Sequence, residues 1–171
     1  MKILFASDIH GSAYYCRRLL DIYKETKASR MVILGDILYH GPRNDLPREY
    51  APKQVISMLN DMKKEIYAVR GNCEAEVDQM VLQFPVMADY CILNLDGRTF
   101  YATHGHIYNE NNLPPIQEGD ILIHGHTHVL KAEQKEGYVL LNPGSVSIPK
   151  EGNPPTYALS LIHISEPTRL D

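Results

Sequence analysis

Short apolar runs, each stopped by a polar or glycine-bearing motif, organise the first part of the chain. Lys2 to Ser7 reads as a buried strand that ends in Asp8-Ile9-His10-Gly11. Ser12 then stands as a helix N-cap, and Cys16, Leu19, Leu20 and Tyr23 fall on one helical face. Met31 to Leu34 is a second strand, broken by Gly35-Asp36. Residues 39–51 hold Gly41, Pro42, Asn44 and Pro47 and predict a long loop. The next helix carries Pro52 in its first turn and turns Val55, Ile56, Leu59 and Met62 inward, and Ile66 to Val69 is a third strand stopped by Gly71-Asn72. Beyond this point the period shortens. Tyr90–Leu95, Thr99–Thr103, Ile121–His124, His128–Glu133, Tyr138–Leu141 and Tyr157–Ile162 read as strands separated by Gly-bearing turns. A strand–helix–strand half followed by a mostly β half predicts one α/β domain, two packed sheets with helices outside.

Composition narrows the function classes. The 171 residues are 44% hydrophobic and 22% charged, with 17 Lys and Arg against 21 Asp and Glu and a formal net charge of -4. No basic run is present, which argues against a specific nucleic-acid binder, although bound metal ions could still attract an anionic substrate. Cys16, Cys73 and Cys91 are isolated, so no disulfide framework is expected. The N-terminus turns polar at Asp8, too soon for a signal peptide, and no stretch approaches a membrane span. A cytoplasmic protein with no membrane partner is the expectation, and a homo-oligomer is left open.

Five motifs fall where an apolar strand stops: Asp8-Ile9-His10, Gly35-Asp36, Gly71-Asn72-Cys73-Glu74, Thr103-His104-Gly105-His106 and Gly125-His126-Thr127-His128. Loops at strand ends are where a rigid sheet presents polar groups to a common cleft. Asp8 with His10, and His126 with His128, are i, i+2 pairs that an extended chain would point to one side, each acting as a pincer. Carboxylate, imidazole and amide oxygen without thiolate suit a borderline-to-hard divalent ion. Such groups are too many for one tetrahedral site and suit two ions ~3.5–4 Å apart that share a carboxylate, with a bridging hydroxide attacking phosphorus in line. Singly, Asp-x-His or Gly-Asp would be an ordinary turn. Two imidazoles flanking Thr127 add nothing to a core or a turn.

The ordered set DxH, GD, GN, GH, GHTH resembles the calcineurin-like metallophosphoesterase superfamily. Phe5-Ala6-Ser7-Asp8-Ile9-His10-Gly11, Tyr39-His40-Gly41-Pro42-Arg43-Asn44, Val69-Arg70-Gly71-Asn72-Cys73 and Asn142-Pro143-Gly144-Ser145-Val146-Ser147 resemble its small bacterial phosphodiesterase branch, from Met1 to about Leu159. The resemblance implies a four-layer α-β-β-α sandwich of two mixed sheets flanked by helices. It implies that Asp8, His10, Asp36 and His128 hold a first ion, and that Asp36, Asn72, His104 and His126 hold a second, Asp36 bridging. Mn is the expected ion, with Fe, Co, Zn, Ni and Mg as compatible alternatives. Asp36, Asn72 and Cys73 are the expected reaction-centre residues.

Cys73 departs from the superfamily pattern, where a His commonly stands and can protonate the leaving oxygen. A thiol is a poorer donor and carries no positive charge at neutral pH. The expectation is therefore a hydrolase of small phosphodiesters with good leaving groups. His106 is a candidate to orient His104 or to contact substrate, and His40 and Arg43 are further substrate-binding candidates. A solvated loop arginine is the simpler reading of Arg43. Asn142 to Ser145 reads as a tight turn that the resemblance sets beside the site. Residues 1–159 form the expected domain, and 160–171 depart from the family pattern as an atypical tail, read as vector-derived or shifted-frame residues; no functional weight is given to His163. The alternatives are a catalytically silent protein-binding scaffold of the same fold and a metal-dependent nuclease.

Overall fold

Strand β1 (Ile3–Ala6) is buried on both faces, and this places it at the centre of the molecule. In the computed structural model, which describes residues 1–160 and 165–170, it lies in a first sheet with β2 (Arg30–Ile33), β3 (Ile66–Ala68), β9 (Thr156–Ser160) and β10 (Ser165–Arg169). The order is β10-β9-β1-β2-β3. β1, β2 and β3 run parallel, while β9 and β10 are antiparallel to their neighbours. A second sheet has the order β4-β5-β6-β8-β7, made of β4 (Tyr90–Leu95), β5 (Arg98–Thr103), β6 (Asp120–Ile123), β7 (Leu130–Gln134) and β8 (Tyr138–Pro143). Here β5, β6 and β8 run parallel, with an antiparallel strand at each edge. Both sheets are mixed, as expected.

Alternation along the central strands sorts side chains into layers. Ile3, Phe5, Val32 and Leu34 face the second sheet and meet Phe100, Ala102, Ile121, Ile123 and Leu141, with Phe5 and Phe100 stacked at 5.7 Å. Leu4, Ala6, Met31 and Ile33 face outward against helices α1 (Ala13–Thr26) and α2 (Pro52–Asp61) through Cys16, Leu19, Leu20, Val55 and Leu59. The outer face of the second sheet is apolar at Tyr101, Leu122, Tyr138 and Leu140, where Ile116 of the preceding loop packs. Among the described residues no helix is long and apolar enough to cross a membrane.

Ser12 caps α1, its hydroxyl accepting from Tyr15 N, and Pro52 opens α2 where its missing N–H costs nothing. The third helix, α3 (Glu76–Val81), buries no residue, so the hydrophobic pattern carried no trace of it. β7 begins at Leu130 rather than His128, because His128 has a φ of 60° that no strand allows. β9 ends at Ser160. Residues 161–164, including His163, lie outside the described residues, whereas Ser165–Arg169 pair antiparallel with β9.

Candidate metal centre

Every site-bearing loop leaves the carboxyl end of a parallel strand: 7–12 after β1, 34–39 after β2, 69–75 after β3, 104–106 after β5, 124–128 after β6 and 144–147 after β8. Parallel strands deliver such loops to one crevice. The loops are stitched to each other. Asp8 N, His10 N and Gly11 N donate to Gly35 O, Asp36 O and Ile37 O at 3.2, 2.9 and 2.8 Å. Ser145 and Ser147 hydroxyls both donate to Asp8 O, and Asn142 Nδ2 donates to Gly125 O and Thr127 Oγ1. The Asn142–Ser147 turn therefore lies beside the site and braces it.

The paired residues converge, but not as extended pincers. Asp8, His10, Asp36, His126 and His128 have φ of 58°, 49°, 53°, 68° and 60°, all in the left-handed region. Non-glycine residues seldom adopt it, and they do so chiefly where the surroundings impose it. Side chains at i and i+2 meet here because the backbone curls, not because a strand alternates.

The candidate donor atoms stand 3.0–3.7 Å apart, close to the separation a shared ion would impose. His10 Nε2 is 3.5 Å from Asp8 Oδ1 and 3.7 Å from Asp36 Oδ2, and His128 Nε2 is 3.2 Å from Asp8 Oδ1 and 3.3 Å from His10 Nε2. His104 Nε2 is 3.5 Å from Asp36 Oδ2, 3.0 Å from Asn72 Oδ1 and 3.2 Å from His126 Nδ1. Two donors each ~2.1 Å from one ion stand ~3.0–3.4 Å apart for octahedral to tetrahedral angles. Asp36 Oδ2 lies between His10 and His104, within reach of both groups. The second oxygen of each carboxylate is already occupied: Asp8 Oδ2 accepts from Ser7 Oγ and His126 N, and Asp36 Oδ1 accepts from Cys73 N. Asp8 Oδ1, in contrast, is buried with no donor in hydrogen-bond geometry, an arrangement a cation would satisfy. Among the described residues, Asp8, His10 and His128 form one group able to hold an ion, and Asp8, Asp36 and His104 another.

Backbone carbonyls set the imidazole tautomers. The Nδ1–H of His10, His104 and His128 donates to Tyr39 O, Leu34 O and Ile148 O at 2.7, 2.6 and 2.7 Å. Each Nε2 is thereby left as the lone-pair donor, which is how ligating histidines are oriented.

The electrostatics fit the same chemistry. Burial would push the Asp8 carboxyl up, but the adjacent imidazoles of His10, His128 and His104 outweigh it and hold the group well below its ordinary value. Burial opposes charge on His10, yet contact with Asp8 raises it. In the absence of an ion, a proton can hold the lone pair that an ion would take. His126 is pushed down to about 4 by burial and by neighbouring His104. Burial and then Asp36 push the Cys73 thiol up, so it stays protonated.

A cleft of ≈ 200 Å³ opens over these atoms and is lined by Asp36, Asn72, Cys73, His126, Arg43 and Lys150, among others. Arg43 therefore reaches the cleft. His106 sits with its ring 5.3 Å from His104 and 6.2 Å from His126, its buried Nδ1 unpartnered, and it is pushed down by burial and His104. His40 lies edge-on between Tyr39 and Tyr50, outside the cleft lining.

Two residues carry roles that the sequence did not assign. Lys150 lies three residues beyond the Asn142–Ser147 motif, and its backbone N–H, donating to His128 O, ties it to the site. Glu74 is 5% exposed and accepts from Asp36 N, Ile37 N and Gly71 N at 2.8, 2.7 and 2.6 Å. Its place three residues after Gly71 was the available signal. Close approach also explains two glycines: a Cβ at Gly71 would overlap Asp36 Oδ1, and one at Gly125 would overlap Ser7 Oγ.

Comparison with known proteins gives concordant results. The family model described as the calcineurin-like phosphoesterase superfamily domain matches residues 1–164. The chain is 48% identical over 159 residues to Phosphodiesterase YfcE of Escherichia coli strain K12, covering 93% of this chain and 86% of that protein. The solved structure of Yfce, described as a phosphoesterase from E. coli, superposes with a TM-score of 0.91 and covers 93% of this chain and 87% of that one. Phosphodiesterase MJ0936 of Methanocaldococcus jannaschii is 24% identical over 152 residues, 84% of this chain and 83% of that protein.

Proposed function

The chain belongs to the calcineurin-like phosphoesterase superfamily, and from that premise we propose that it is a phosphodiesterase acting with two divalent metal ions. One observation carries the reading: two groups of buried side chains, Asp8 with His10 and His128, and Asp8 with Asp36 and His104, each bring three possible ligand atoms within 4.8 Å of one another. Asp8, His10, Asp36 and His128 would hold the first ion. Asp36, Asn72, His104 and His126 would hold the second, with Asp36 shared between them. When bound, the ions supply Lewis acidity and make hydroxide available near neutral pH. Mn is the favoured ion, because imidazole nitrogens mixed with carboxylate and amide oxygens suit it better than Mg.

The residues of the chain position and discriminate. Glu74 fixes the Asp36 and Gly71 backbones, and the Asn142–Ser147 turn fixes Asp8 and the 125–128 loop. Cys73, a neutral thiol beside Asp36, lends no proton to the leaving oxygen and no charge to a dianionic monoester. Diesters with good leaving groups are thus the favoured substrates. The name of the 48% identical relative supports a diesterase over a monoesterase. Full retention of the ligand set counts against a silent scaffold, and the acidic net charge counts against a nuclease.

The test is a metal-reconstituted screen of aryl and alkyl diesters, cyclic nucleotides, glycerophosphodiesters and monoesters. Chelation should abolish hydrolysis, and Mn should restore it at least as well as Mg, with bis(p-nitrophenyl) phosphate outrunning p-nitrophenyl phosphate. Active protein holding one ion per chain, or faster monoester hydrolysis, would overturn the reading.

A further inference from the structure

The cleft carries more positive charge than a simple diester needs. Two divalent ions against Asp8 and Asp36 leave a charge of +2, which a hydroxide nucleophile and one diester anion together cancel. Arg43 and Lys150 lie outside this balance. Both line the cleft, and Asp36 is the one carboxylate residue that lines it with them. Neither takes part in an ion pair or side-chain hydrogen bond among the described residues.

Their placement is fixed by backbone. Arg43 rides on a turn closed by Asn44 N to Gly41 O at 3.3 Å and Asn44 Nδ2 to His40 O at 2.9 Å. Gly41 brings that turn against the Cys73 sulfur. Lys150 is tied on the other side, its N donating to His128 O at 3.0 Å, while its own carbonyl accepts from Asn153 N and Nδ2 at 3.1 and 2.8 Å. One cation thus comes from the Cys73 side of the cleft and the other from the His128 side. A planar guanidinium and a flexible ammonium suit phosphate oxygens, the first as a fork and the second as a point charge.

Building on the diesterase reading, we propose that Arg43 and Lys150 form a subsite for a second anionic group, a phosphate on one arm of the diester. The favoured substrates are then phosphodiesters with a pendant phosphate, such as those built on a nucleoside bisphosphate, rather than diesters with two neutral arms.

The experiment compares two p-nitrophenyl diesters on the Mn-loaded enzyme: the p-nitrophenyl ester of thymidine 5′-phosphate, and the same compound carrying a 3′-phosphate. Two partly exposed charge-assisted contacts should lower KM about tenfold for the second compound. That advantage should shrink as salt rises from 0.02 to 0.5 M. In R43A/K150A the ratio of the two kcat/KM values should fall close to one. Calorimetry supplies a readout independent of turnover, with thymidine 3′,5′-bisphosphate binding the wild type more tightly than thymidine 5′-phosphate, and the variant losing that difference. Equal KM values in the wild type, or an unchanged ratio in the variant, would overturn the subsite. Failure to hydrolyse either compound would instead overturn the diesterase reading on which the subsite rests.

Discussion

Removing the Glu74 carboxylate should loosen the candidate metal centre from behind, without touching a candidate ligand. In the native protein its two oxygens accept three backbone N–H groups, those of Asp36, Ile37 and Gly71, at 2.6–2.8 Å in a buried setting. Each buried donor left unpaired costs ~1–3 kcal/mol. Glu74→Ala strands three, but water entering the cavity satisfies part of the deficit, so the expected loss is ~3–5 kcal/mol. Glu74→Gln keeps the volume. With its amide oxygen toward Asp36 and Gly71, its NH₂ faces the Ile37 N–H, and one donor-against-donor clash costs ~2–3 kcal/mol. Urea unfolding of chelator-treated protein reads the difference. With a slope of ~2 kcal/mol per M, the midpoint should fall by ~1 M for Gln and ~2 M for Ala. Competition with a chelating dye should show metal affinity weakened ~10–100-fold in Glu74→Gln, since Asp36 loses its fixed pose. If Glu74→Ala does not fold, Glu74→Gln still decides the matter. A midpoint within ~0.3 M of wild type with unaltered metal affinity would refute the reasoning.

Asp36→Ala should reduce diester hydrolysis more than His10→Ala at saturating Mn, because Asp36 Oδ2 lies within reach of both His10 and His104 and would serve both proposed ions; the reverse order, in folded proteins, would contradict bridging. Cys73→His should raise alkyl diester and monoester rates relative to aryl diester rates, since a general acid is typically worth ~10²–10⁴-fold. A wild-type rate that is flat across leaving groups, with chemistry rate-limiting, would mean another acid acts, with His106 or His40 next to test. In metal-free protein, His126 is held down to about 4 against an ordinary 6.5, so the unfolded chain takes up a proton in this window and the folded chain does not. The His126 contribution to stability should therefore be lost as pH drops from 6.5 toward 4, with His106 adding in the same direction and His10, whose value is raised, opposing them. His126→Gln should flatten the urea-midpoint profile between pH 4.5 and 7, and an unchanged slope would remove His126 as its cause.

The sandwich and the identities of the converging side chains were legible in the sequence, because strand alternation and strand-end motifs are local signals. Phe5 and Leu4 face opposite layers as their alternation requires, and Asp8, Asp36, Asn72, His104 and His126 follow the ends of runs that became parallel strands. What brings these side chains together was not legible. Spacing of i and i+2 fits an extended pair and a curled one equally, and the left-handed backbone at Asp8, His10, Asp36, His126 and His128 is imposed from outside each loop. A left-handed non-glycine residue costs ~1–2 kcal/mol, so five of them approach ~5–10 kcal/mol, comparable to the whole stability of a domain. Loops alone do not hold that. The offset comes from groups distant in sequence: Glu74 on the Asp36 and Ile37 backbones, Ser145 and Ser147 on Asp8 O, Asn142 on Gly125 O, and carbonyls 34, 39 and 148 on the imidazoles. Each is a long-range contact that no window of sequence contains. The candidate ligands are thus named by local pattern but shaped by the second layer of polar residues, and it is that layer that the sequence kept hidden.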